Sequence, residues 1–223
     1  MGRARLLGLA VRLILASASP RRRELLARLG LSFEVAPSAV DESLPIGISA
    51  AQGAARLALA KARAVAAGVR TRSEAPAVVL GADTLVVLDG RPFGKPASRD
   101  EARATLAALR GRTHEVVTGV ALVETLSGRE ACETVASRVV MRPYGDAEIQ
   151  AYVETGEPDD RAGAYAVQGI GSRLVARVDG CYTNVVGLPL GTTARLLRAF
   201  GFAARDPLPT AAAGEDPGSS GPR

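Results

Sequence analysis

The sequence has no tryptophan, and its four tyrosines and four phenylalanines make aromatics 4% of 223 residues. Proteins that grip single-stranded nucleic acid stack its bases on such rings, and few are present. The basic side chains are also scattered, so the formal charge of +5 and the pI near 9.7 point to a polyanionic small molecule rather than to nucleic acid. A single histidine, His114, rules out a multi-histidine zinc site and leaves oxygen chemistry for any metal. Cys132 and Cys181 are far apart and match no metal or redox spacing, so they are expected to be buried free thiols in a reducing compartment. No uncharged apolar run is long enough to span a bilayer, so no membrane partner and a cytoplasmic location are expected. There is no Gly-x-x-x-x-Gly-Lys-[Ser/Thr] loop and no Gly-x-Ser-x-Gly elbow, so neither a P-loop NTPase nor an α/β-hydrolase is indicated. Lysine is almost missing too. Of 28 basic residues 26 are arginine, and Lys61 and Lys95 are the exceptions. A chain this biased marks its lysines as positions where a compact ammonium is wanted instead of a planar fork.

What is present begins with Leu13-Ile14-Leu15-Ala16-Ser17-Ala18-Ser19-Pro20-Arg21-Arg22-Arg23-Glu24-Leu25-Leu26. It reads as a short strand, a turn and a helix, with Ser19 at the N-cap, Pro20 at the first helical position and Gly30 as the stop. Three arginines in the first turn oppose the partial positive charge of the helix start. An anion docked there would reverse that penalty, and strand-turn-helix starts are natural phosphate sites; otherwise the three simply face water. Arg3, Arg5, the apolar run from Leu6 and Ala16-Ser17-Ala18 imitate a secretory leader. Arg12 splits that run, however, and cleavage after Ala18 would sever the strand from its helix. Residues 1–12 are therefore read as a loose extension, or as an artefact of start-codon placement.

Further along, Phe33 to Ala36 suggests a strand and Pro37 to Pro45 a loop carrying Asp41-Glu42. Ser49 opens a helix from Ala50 to about Ala67, ended by Gly68. Ala77-Val78-Val79-Leu80 has the continuous apolar character of a doubly buried strand; it ends at Gly81-Ala82-Asp83-Thr84 and resumes to Leu88, before a turn at Asp89-Gly90. Gly94-Lys95-Pro96 is a loop. Ser98 and Glu101 form a capping box for a helix to Arg110. His114–Leu126 and Glu130–Met141 make a hairpin through Ser127-Gly128. A helix over Asp146–Glu154, a Gly-rich polar stretch from Gly156 to Gly171, a strand at Leu174–Val178 and a helix over Thr192–Phe200 follow. The pattern implies one α/β domain over residues 13–203, with a mixed twisted sheet and flanking helices. Residues 204–223 have a disordered-tail composition.

Asp83 is the strongest chemical candidate. A carboxylate after an apolar strand needs a partner for its buried charge, and the carboxyl end of a strand is where α/β sheets face ligands. A turn-forming aspartate would look the same. Glu42 could be a second carboxylate for Mg²⁺, an ion that wants oxygens and keeps several waters, or a solvated loop charge. His114, at the start of a strand, reads as structural before catalytic.

Ser17-Ala18-Ser19-Pro20-Arg21-Arg22, Asp41-Glu42, Lys61-Ala62-Arg63, Gly81-Ala82-Asp83-Thr84, Gly94-Lys95-Pro96, Thr113-His114 to Thr118-Gly119, Ala162-Gly163-Ala164-Tyr165 with Gln168-Gly169, and Val186-Gly187-Leu188-Pro189 stand in the order found in Maf proteins. The chain resembles that family of nucleoside triphosphate pyrophosphatases from about Leu13 to Phe202. The resemblance implies a mixed α/β fold related to inosine-triphosphate pyrophosphatases, with two lobes around a cleft, a homodimer, and hydrolysis of a nucleoside triphosphate between its α and β phosphates. It implies a divalent cation, Mg²⁺ or Mn²⁺, on Glu42 and Asp83, with Asp83 accepting a proton from the attacking water. Ser17, Arg22, Lys61 and Lys95 would bind and neutralise the triphosphate. Arg21, Thr84 and Gln168 match the branch acting on dTTP and UTP, and a Gln amide suits a uracil or thymine edge. Arg161 stands where that family more often has lysine. Two alternatives stay open: the same reaction on another base, such as 7-methyl-GTP, and a non-catalytic nucleotide- or nucleic-acid-binding regulator of septum formation.

Overall fold

Local signals set most element boundaries. Ser19 accepts the backbone N–H of Arg22, and Ser49 and Gln52 cap each other reciprocally. Ser98 accepts from Glu101 N, but Glu101 turns its carboxylate to Ala97 N (2.8 Å), so the expected box stays half closed. The computed structural model describes residues 5–6, 9–45, 47–73 and 75–207; most of the expected tail lies outside them. In chain order the elements are β1 (Arg5–Leu6), β2 (Leu9–Ala10), β3 (Arg12–Leu15), α1 (Pro20–Ala27), β4 (Glu34–Val35), α2 (Ala50–Arg70), β5 (Ala77–Leu88), β6 (Arg91–Phe93), α3 (Arg99–Leu109), β7 (Thr113–Glu124), β8 (Glu130–Met141), α4 (Asp146–Glu154), β9 (Val175–Asp179), α5 (Tyr182–Val186) and α6 (Leu190–Ala199).

The main sheet runs β4-β3-β5-β7-β8-β9, with β6 also paired to β5. Strands β4, β3 and β5 are parallel; the rest pair antiparallel. The mixed α/β reading holds, with several local differences, among them that Arg12, read as part of a loose extension, opens β3, and that β1 and β2 pair within that stretch. Strand β5 is continuous through Asp83 instead of ending there, because β7 pairs with it from Val78 to Val87. Helix α2 runs through Gly68 to Arg70; a mid-helix glycine costs only about 1 kcal/mol, and packing on β5 and β7 outweighs it. Tyr182–Val186, unassigned from sequence, is a short helix. Beyond α6, Ala204 is buried and Arg205 N donates to Leu29 O (3.0 Å), so the first tail residues dock on α1.

One edge of β5 sets up everything that follows. Strand β3 covers it from Ala77 to Leu80, and β6 covers it again only from Val86 to Leu88. Both lie on the side opposite β7, so Gly81–Leu85 has no strand neighbour there. Apolar clusters close around this gap. Leu15, Leu25, Leu26, Leu80, Leu122, Leu188 and Leu197 pack beneath α1 and α6. Leu88, Leu106, Met141, Tyr144 and Val153 pack beneath α3 and α4. On the other sheet face α2 lies unusually close, with Ala54, Ala58 and Ala62 against Gly119 and Gly81.

Neither cysteine is fully buried; both are half-buried and free, and burial pushes the Cys132 thiol up. His114 is buried, 2% exposed, with Nε2 2.7 Å from the Tyr165 hydroxyl and Nδ1 without a partner. Burial lowers its pKa to about 4.

Two outcomes are expected. A Cβ at Gly119 would enter the Ala54 carbonyl, with Ala54 C at 2.5 Å and Ala55 N at 2.8 Å. Gly119→Ala should therefore cost about 3 kcal/mol in urea unfolding, whereas Gly191→Ala, with open space around it, should change stability by less than about 1 kcal/mol. His114 binds its proton more weakly when folded, so its contribution is complete above pH 6.5 and drains as pH falls toward 4. Between pH 7.5 and 5.0 this is worth about 2 kcal/mol, and His114→Gln should remove that part of the pH dependence.

Candidate active site

A cleft of about 940 Å³ opens at the uncovered edge of β5. Ser17, Arg21, Arg22, Glu42, Lys61, Asp83, Thr84, Lys95 and Gln168, the nine residues singled out from sequence, all line it. Their placement follows from the elements. The end of β3 delivers Ser17, the first turn of α1 delivers Arg21 and Arg22 while Arg23 stays exposed, and the β3-parallel register brings Asp83 and Thr84 just beyond Leu80.

Asp83 and Lys61 form the buried centre, 6% and 7% exposed. Lys61 Nζ donates to Asp83 Oδ1 at 2.6 Å and lies 2.6 Å from Glu42 Oε1. This pair exists because Gly81 and Gly119 let α2 settle on the sheet. One ammonium thus serves two carboxylates, while among the described residues Asp83 has that ammonium as its one ion-pair partner. Burial by itself pushes the Glu42 carboxyl up, but the hydrogen bond and charge of Lys61, with the Lys95 and Arg22 charges, hold it below the usual carboxylate range.

Arg22 is fixed on the other side of β5. Nε donates to Gly187 O (3.0 Å), Nη2 to Thr84 Oγ1 (3.1 Å), and Nη1 reaches Ser17 Oγ (3.5 Å). Thr84 Oγ1 is 2.9 Å from Thr118 Oγ1, which donates to Asn184 O (3.1 Å). Thr84 therefore positions Arg22, a role its sequence context did not reveal. Burial pulls the Arg22 guanidinium pKa down, opposed by the Asp83 charge.

The opposite wall comes from the Gly-rich stretch. Lys95 Nζ is 2.8 Å from Asp160 Oδ1, and Arg21 Nη2 donates to Asp160 O (3.3 Å). Asp160 was missed from sequence; the acidic run before Arg161 was its only trace. Gln168 is exposed and lines the same wall, next to Gly169.

Five cations and five carboxylates line the cleft: Arg21, Arg22, Lys61, Lys95 and Arg161 against Glu24, Glu42, Asp83, Glu157 and Asp160. Their formal charges cancel, so a bare tetra-anion entering would be left largely unneutralised. Among the described residues no three His, Cys, Asp or Glu side chains cluster as a ready-made metal cage. Two carboxylates on an open cleft nevertheless suit Mg²⁺ or Mn²⁺, which take one or two carboxylates and complete their shell with waters and phosphate oxygens. The chemistry available is that of a positioned carboxylate beside fixed cations: proton abstraction next to a stabilised anion.

Known proteins agree with the family read from the motifs. The family model described as Maf-like protein matches residues 12–200. A relative from Moorella thermoacetica is 54% identical over 190 residues, covering 85% of this chain and 95% of the relative. One from Symbiobacterium thermophilum is 52% identical over 193 residues, covering 85% and 94%, and one from Desulforamulus reducens 48% over 189, covering 85% and 96%. Each of the three is named dTTP/UTP pyrophosphatase. With residues 12–200 matched by the family model and about half of the aligned residues shared with such relatives, the chain belongs to the Maf-like family.

Proposed function

We propose that the chain is a nucleoside triphosphate pyrophosphatase that hydrolyses dTTP and UTP to the monophosphate and pyrophosphate. The observation that carries this reading is the convergence of Arg22, Lys61, Lys95 and Asp83, from four separate segments, on one cleft. The names of the relatives support the substrate choice.

Asp83 takes a proton from a water that attacks the α-phosphorus. The new P–O bond forms as the bond from that phosphorus to the bridging oxygen breaks, and its electron pair leaves with pyrophosphate. Lys61 holds one Asp83 oxygen and so aims the other. Arg22, locked by Gly187 and Thr84, and Ser17 present donors to phosphate oxygens, and Lys95 joins them on leaving Asp160. Such chemistry is mostly positioning and charge stabilisation. Glu42 and Asp83 would hold Mg²⁺ or Mn²⁺, which supplies positive charge to the phosphate oxygens as negative charge develops. Gln168, exposed on the wall, is left free to pair with a uracil or thymine edge. The homodimer and the cytoplasmic location belong to the same reading; sedimentation tests the first.

Pyrophosphate release scored over a panel of triphosphates should be highest for dTTP and UTP; a purine-only profile, 7-methyl-GTP included, overturns the substrate assignment. Asp83→Asn should lower turnover about 100-fold or more while nucleotide still binds. Retained turnover would remove Asp83 as the base. Urea unfolding should separate the two buried partners: Lys61→Met leaves Asp83 uncompensated and costs about 3 kcal/mol, whereas Asp83→Asn costs less because Glu42 stays on the ammonium.

A further inference from the structure

Three of the carboxylates lining the cleft, Glu42, Asp83 and Asp160, sit on lysines. Glu157 is used differently. Its Oε2 accepts the backbone N–H of Gly171 (2.8 Å) and its Oε1 that of Ile170 (3.3 Å). A carboxylate on the wall of a cleft that admits a polyanion repels it, so one kept there for backbone contacts calls for a reason.

The reason lies in what those N–H groups belong to. Residues Gly169–Leu174 form a short 3₁₀ helix whose N-cap is Gln168. A helix start leaves its first N–H groups without partners, and the N-cap side chain ordinarily accepts one of them. Gln168 makes no such bond. Glu157 accepts them instead, from outside the helix, so the Gln168 amide is not drawn into the backbone.

The fit around this cap is close. Gly169 takes φ +69°, and a Cβ there would run into Glu157 Oε1. A Cβ on Gly171 would meet the Tyr152 hydroxyl at 2.5 Å. That hydroxyl accepts Ala166 N (3.0 Å), and the Tyr182 hydroxyl donates to Val167 O (3.3 Å). Burial, with the Glu157 carboxylate beside it, pushes the Tyr152 phenol up. The backbone is thus held on both sides of Gln168, by tyrosine hydroxyls at 166 and 167 and by one carboxylate at 170 and 171. Glu157 itself opens the 3₁₀ turn Glu157–Asp160, which also brings Asp160 to Lys95 and Arg21. That turn has backbone bonds of its own, Arg161 N donating to Pro158 O (3.0 Å).

We infer that Glu157 is a positioning residue for base recognition: by capping the helix that Gln168 opens, it fixes where Gln168 meets the nucleobase and leaves the Gln168 amide free to do so. The inference rests on the proposed pairing of Gln168 with a uracil or thymine edge and adds the residue that holds it in place. Such pairing depends on placement; a shift of about 1 Å can cost about 100-fold, and supporting contacts hold a recognition group within that tolerance. The groups proposed for the triphosphate are held by other contacts, so a ligand without a base should not sense the loss of Glu157.

Steady-state kinetics on the full-length protein read the effect as discrimination, the kcat/KM for dTTP divided by that for dCTP, dATP or dGTP. Glu157→Ala should lower it at least fivefold. Gln168→Ala should lower it too, and the double variant should lie within twofold of Gln168→Ala, because one residue acts through the other. Calorimetry with inorganic triphosphate should show Glu157→Ala binding within twofold of wild type or more tightly, since an anion has left the cleft. A smaller loss of discrimination overturns the inference. So do a further loss beyond twofold in the double variant and triphosphate binding weakened more than twofold. If Glu157→Ala fails to fold, Glu157→Gln decides alone, because it keeps one acceptor and turns a donor toward the other N–H: a loss under twofold overturns the inference and a larger one upholds it. Wild-type enzyme with no preference for dTTP, or Gln168→Ala that keeps the preference, defeats the reading of Gln168 and the inference with it. A selective wild type that is sensitive to Gln168 and indifferent to Glu157 defeats the inference alone.

Discussion

The ion pair between Lys61 and Asp83 is the constraint on which the rest of the molecule turns. Two charges that are 6% and 7% exposed are tolerable only in contact, since either alone would carry most of its desolvation penalty. Contact in turn demands that α2 lie close to the sheet. Glycine at 81 and 119 and alanine at 54, 58 and 62 meet that demand by removing the side chains that would hold helix and sheet apart. A packing feature thus fixes the geometry of the group proposed to activate water. The pair is also asymmetric: Lys61 has Glu42 in reserve, and among the described residues Asp83 has no second cation at hydrogen-bond distance.

The second constraint is topological. Strand β5 is long enough to serve two neighbours in succession, β3 at one end and β6 at the other, and the interval between them stays uncovered. Side chains from both faces of β5 reach one opening at that interval. Asp83 meets Lys61 from α2 on one face, and Thr84 meets Arg22 from α1 on the other. The turn carrying Asp160 and Arg161 closes the third side. A cleft with cancelling formal charges results, suited to an anion that arrives with its own cation.

Much of this was legible in the chain because it depends on local rules. Serine caps, the Ser127-Gly128 turn and the apolar runs of β5, β7 and β8 placed most elements. The scarcity of lysine marked Lys61 and Lys95 before any motif was weighed. The misreadings share one cause. Gly68 looked like a helix stop and Asp83 like a strand end because both residues favour breaks in isolation; packing on β5 and pairing with β7 kept the elements running. Asp160 escaped notice since an acidic residue in a polar loop has no period and no spacing to betray it.

The sequence by itself determined the family, the α/β class and most of the charged residues that line the cleft, because motif order and periodicity are written in one dimension. Only the tertiary structure decided which charged groups meet which partners: Lys95 on Asp160, Lys61 shared between Asp83 and Glu42, and Arg22 held by Thr84. Pairing of this kind depends on ångström separations between residues tens of positions apart, and those separations are set by how strands register and how closely a helix can approach, quantities that no single stretch of chain contains.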